Sequence, residues 1–68
     1  MERGSVKWFS NAKGYGFISY GDDEEIFVHF TAIQTDGYKS LIKDEPVLFE
    51  IKEGARGLQA ANVQKITE

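Results

Sequence analysis

Apolar and polar positions alternate along most of this chain with a period of two, the spacing of strands rather than helices. The clearest case is Lys13-Gly14-Tyr15-Gly16-Phe17-Ile18, followed shortly by Ile26-Phe27-Val28-His29-Phe30. Successive side chains of a strand point to opposite faces, so Tyr15 and Phe17 share a face, as do Phe27 and His29, in each case the side away from the aliphatic residues. The opposite parity carries Ile18, Ile26 and Val28, the expected core. Further on, Val47, Phe49 and Ile51 alternate with Leu48, Glu50 and Lys52, which reads as a half-buried strand with the first three inward.

The pattern predicts five short strands. The first covers residues 4–10 with Val6 inward. Trp8 and Phe9 are adjacent there, so one faces in and one out, and alternation does not choose because a bulge would switch the parity. Asn11-Ala12-Lys13-Gly14 is a tight turn, with Gly14 suited to a left-handed conformation. Residues 15–20 form the second strand, in which Gly16 implies a bend or the close approach of another backbone. A charged turn at residues 21–24 leads to a third strand over 25–30. Thr31 is expected to cap one helical turn over 31–34. The connection from 35 to 45 is long for so small a protein, and long connections are often functional. Pro46 opens strand four, since it has no backbone donor for a central position. A glycine-bounded loop, Gly54-Ala55-Arg56-Gly57, joins it to strand five over 58–66, where Ala60 and Ala61 fit crowded packing. Five strands with no real helix must hide their edges, and closure into a barrel does so. The expected class is all-β, a five-stranded antiparallel barrel formed by one domain over residues 1–68.

Composition narrows the function. Sixty-eight residues are near the lower limit for a lone hydrophobic core, and no cysteine supplies a disulfide or a thiolate metal site. No signal-like or membrane-length apolar run occurs, so a cytoplasmic protein without a membrane partner is expected. The initial Met and the short tail after the last apolar run read as a complete chain. Net charge is −3, from 8 lysines and arginines against 11 aspartates and glutamates. That argues against holding duplex DNA mainly by charge. The signs are segregated, however. Residues 3–20 carry three basic side chains and no acidic one, whereas Asp22-Asp23-Glu24-Glu25 is an acidic run.

Large rings left in water forgo about 25 cal/mol per Å² of burial, so a row of them facing out implies a partner. Beside Lys7, Lys13 and Arg56 the partner expected is unpaired nucleic-acid bases, which stack on aromatic faces while cations meet phosphates. Rival readings are an oligosaccharide- or protein-binding module, since sugars also stack on rings, and a small nuclease. The single histidine lacks metal-ligand partners, the acidic run lacks the spacing of a calcium loop, and no nucleophile–base motif surrounds any serine. No cofactor, metal, catalytic residue or small-molecule substrate is expected.

The two ringed segments resemble the paired RNA-binding motifs of the cold-shock domain family. Val6-Lys7-Trp8-Phe9 and Gln59-Ala60-Ala61-Asn62-Val63 also match it, so the resemblance runs nearly end to end. It implies an OB-fold barrel that binds single-stranded RNA and DNA, of the kind that acts as an RNA chaperone or antiterminator. Carried over position by position, it implies a binding face of Lys7, Trp8, Tyr15, Phe17, Phe27, His29, Phe30, Tyr38 and Arg56, with Lys13 and Gln59 as secondary contacts. It also turns Trp8 outward and leaves Phe9 peripheral. Ser10-Asn11, Glu25, Thr35-Asp36 and Leu58 depart from the usual family pattern. A monomer is expected, with a dimer open to it through the edge of the first or fourth strand.

Overall fold

The computed structural model describes residues 1–34, 40–55 and 57–66. Five strands, β1 (Glu2–Ser10), β2 (Tyr15–Tyr20), β3 (Glu24–His29), β4 (Pro46–Gly54) and β5 (Gly57–Lys65), form a closed barrel in the order β1-β2-β3-β5-β4. All neighbours are antiparallel except β3 and β5, which run parallel and meet at Phe27 and Gln59. The expected five-stranded barrel is borne out, antiparallel at every seam but this one. An odd number of strands cannot alternate direction all the way round a closed ring, so one pair must be parallel.

The edges left open by the sequence are used to close the barrel. β1 pairs with β4 from Glu2 opposite Phe49 to Ser5 opposite Pro46. Beyond that, the Val6 amide donates to the Glu45 carbonyl and the Asp44 amide donates to the Val6 carbonyl. The incoming connection thus satisfies backbone groups that β4 does not reach.

Inside lie Val6, Ile18, Ile26, Val28, Ile33, Leu41, Val47, Phe49, Ala60 and Val63, all buried, with Tyr20 edge-on to Phe49 at 5.4 Å between centroids. Ile18, Ile26 and Val28 among them are the inward parity of β2 and β3, as alternation predicts. Ile51 is the correction: it is 37% exposed instead of core. The pairing of β1 with β4 stops at Glu2 opposite Phe49, so Ile51 lies past the covered stretch and shares a shallow hollow with Met1 and Glu2. Alternation gives a side chain's face but not where the covering strand ends.

The helical turn is a 3₁₀ turn over Phe30–Ala32, one residue earlier than expected, and its N-cap is His29 rather than Thr31. His29 is extended (φ −109°, ψ 150°), so the strand ends there, and its ring nitrogen accepts from the Thr31 amide. Phe30 therefore leaves the strand that the sequence assigned it to.

Candidate functional site

Two strand pairings write the outer face of β1, β2 and β3 as rows. Ser10, Tyr15 and His29 are opposite one another in the first row. Trp8, Phe17, Phe27 and Gln59 form the second, and Ser5, Ser19 and Glu25 the third. The second row depends on an irregularity in β1: Val6 is opposite Ile18, but Trp8 is opposite Phe17. One extra β1 residue in this bulge flips the parity that follows. Trp8 therefore faces out, 40% exposed, and Phe9 turns in to pack against the core.

The bulge is matched by Gly16. A Cβ there would stand 2.2 Å from the Trp8 carbonyl oxygen and 2.7 Å from the Phe9 Cα, so only glycine admits the β1 backbone this close. The turn before it is fixed too. Gly14 adopts φ 79°, its amide donates to the Ser10 carbonyl at 2.7 Å, and the Phe30 ring lies against its Cα side. Glycine thus seats both Trp8 and Phe30.

Four rings form a continuous patch. Trp8 is 5.9 Å from Tyr15 and 5.6 Å from Phe17, and Phe27 is 5.7 Å from Tyr15 and 5.9 Å from Phe17, between centroids. All four contacts are tilted or edge-on, so no ring face is covered by the face of another. His29 and Phe30 extend the patch, 4.6 Å apart, with Phe30 42% exposed. Two open hollows flank Phe27. One, of about 420 Å³, is lined by Tyr15, Phe17, Glu25, Phe27, Gly57, Leu58 and Gln59; the other, of about 500 Å³, by Tyr15, Phe27, His29, Thr31, Ala55 and Gln59. Gln59 borders both.

The structure thus brings together Trp8, Tyr15, Phe17, Phe27, His29, Phe30 and Gln59. Lys13 is exposed in the turn beneath them, its amide on the Ser10 hydroxyl at 3.2 Å. Lys7 is also exposed, but its ammonium is 2.7 Å from a Glu25 carboxylate oxygen, a pairing that sequence did not anticipate. Tyr38 and Arg56 lie outside the described residues. Leu58, 55% exposed on the rim of the first hollow, and Thr31, on the rim of the second, are lining residues that sequence reasoning did not place there. Leu58 stood out only as a departure from family pattern, and Thr31 only as a cap. Among the described residues, no three His, Asp or Glu side chains gather as metal ligands, and no helix is long and apolar enough to cross a membrane.

Residues 2–66 match the family described as the 'Cold-shock' DNA-binding domain. The chain is 57% identical over 65 residues to Cold shock protein CspC of Bacillus subtilis, covering 96% of this chain and 98% of that one. It is 59% identical over 66 residues to Cold shock protein CspB of Geobacillus stearothermophilus, covering 97% and 100%. Among solved structures, drosophila Unr CSD456 superposes with a TM-score of 0.78 at 21% identity, over 97% of this chain and 26% of that one, a likeness of fold.

Proposed function

The chain belongs to the cold-shock DNA-binding domain family, and from that premise we propose that its ringed face binds single-stranded RNA and DNA by stacking. The observation that carries this is the patch of Trp8, Tyr15, Phe17 and Phe27, on the outward parity of strands whose inward Val6, Ile18, Ile26 and Val28 are buried. Bases lie over these rings and over His29 and Phe30, with Gln59 at their edges. Phosphates run outward toward Lys13 and, by resemblance, Arg56, with Tyr38 adding a ring. Single strands suit the face because stacking needs bases whose flat sides are not already taken.

The protein acts, on this reading, as a single domain over residues 1–68, a cytoplasmic monomer that binds without catalysis. A strand held here is withheld from base pairing, so weak RNA hairpins open without ATP, the role of an RNA chaperone or antiterminator. The footprint lies toward the low end of the ~4–16 nucleotides an OB-fold covers.

Phe17→Ala and Phe27→Ala test the assignment. Each should weaken binding of a short oligothymidine by ~1–3 kcal/mol while the unfolding transition is retained. Val28→Ala and Ile18→Ala, on the inward parity, should lower stability by ~1–5 kcal/mol with little effect on the ligand. Unfolding by the first pair and loss of binding alone by the second would reverse the two faces.

A further inference from the structure

His29 is held by more than stacking. Its Nδ1 is 2.9 Å from the Thr31 hydroxyl and accepts from the Thr31 amide at 3.4 Å, closing the cap of the 3₁₀ turn. A neutral imidazole has one protonated and one bare nitrogen. If Nδ1 is the acceptor for the amide, the proton is on Nε2, and the Thr31 hydroxyl can only donate to Nδ1. The Phe30 ring, 4.6 Å away and tilted 39°, braces the imidazole from its own side. Nε2 makes no hydrogen bond among the described residues, and the ring lines the hollow between Tyr15, Phe27 and Gln59.

We propose that Thr31 is a positioning residue that holds His29 as the Nε2–H tautomer, making His29 a hydrogen-bond donor to an acceptor on the edge of a bound base. The partner atom is a base carbonyl oxygen or an unprotonated ring nitrogen. This rests on the stacking face proposed above. It adds to stacking a directional contact that a phenyl ring at the same place does not supply. A second consequence is that cap and contact are one unit: the hydroxyl and amide that start the 3₁₀ turn also aim the ring.

Two measurements test it, the first without nucleic acid. Long-range proton–nitrogen spectra of the imidazole at mildly alkaline pH should show Nε2 protonated and Nδ1 bare, with the ring's restricted orientation relaxed by Thr31→Val and restored by Thr31→Ser. A proton on Nδ1, donated to the Thr31 hydroxyl, overturns the proposal. The second uses short oligothymidines in which one base at a time is replaced by difluorotoluene, which stacks as thymine does but lacks its strong acceptors. One replacement should cost the wild type and Thr31→Ser about three- to tenfold in affinity, and His29→Phe nothing at that position. Thr31→Val should lose part of that discrimination. Equal costs in wild type and His29→Phe at every position overturn the donor role while the stacking face stands. Failure of the wild type to bind any oligothymidine sinks the stacking face, and the proposal with it.

Discussion

At the scale of single residues, Lys7 shows how a cation on the proposed binding face can be partly spent before any ligand arrives. Its ammonium meets Glu25 at 2.7 Å, with both side chains about half exposed (50% and 44%). Exposed pairs of this kind are worth at most ~1 kcal/mol and are screened by salt. A polyanion therefore competes with Glu25 for Lys7. Glu25→Gln keeps the shape, removes the competing charge and frees the ammonium. It should raise affinity for oligothymidine at low salt by up to about fivefold and steepen the log–log salt slope by about 0.7. Unchanged affinity and slope in a salt series would show that Lys7 does not face the phosphates. The residue pattern and the family resemblance both set Lys7 beside the rings. Neither gave a hint of Glu25, because 18 residues separate the pair and only the pairing of β1 with β2 and of β2 with β3 brings them together.

At the scale of elements, the barrel closes over a thin seam. β3 and β5 share the single pair Phe27–Gln59, and the chain after the 3₁₀ turn adds the Ile33–Val63 bridge and a 2.7 Å bond from the Gln34 amide to the Val63 carbonyl. Asn62 ties these parts together. It accepts from the Gln34 side chain at 2.7 Å and donates to Glu50, and it adopts φ 51° where the β4–β5 register slips between Leu48 and Glu50. A left-handed backbone costs an ordinary residue ~1–2 kcal/mol, and asparagine less. Asn62→Ala should therefore destabilise by ~2 kcal/mol in urea unfolding, and Asn62→Gly by less, since glycine keeps the backbone and loses only the exposed hydrogen bonds. If glycine costs as much as alanine, the hydrogen bonds and not the backbone conformation hold the bulge. Such bulges also mark the limit of reading strands from sequence. The cores of β2 and β3 are legible because their alternation is unbroken. The facing of Trp8 is not legible from alternation, and only the family resemblance turns it outward, because it is decided by one extra residue in β1 that the pairing with β2 reveals. Ile51 misleads for a related reason, since its exposure depends on where β1 ends. The cap at His29 was missed by two residues because a ring nitrogen did the work usually expected of a hydroxyl.

At the scale of the whole molecule, a chain of charge −3 is proposed to bind polyanions. Stacking reconciles the two, because rings supply the affinity and few cations are needed. Lys7, Lys13 and Arg56 are the cations that the sequence reading sets beside the rings, so about three phosphate contacts should set the log–log dependence of affinity on salt at about −2. A much steeper slope would mean that charge, not stacking, dominates. The most direct test of the stacking face is the fluorescence of Trp8, the only tryptophan, which stands in the second row against Tyr15 and Phe17. It is titrated with a short oligothymidine, with the same sequence as a duplex and with a neutral oligosaccharide. Strong quenching by the single strand alone is the predicted result. No response to any of the three, or an equal response to duplex and single strand, would contradict it.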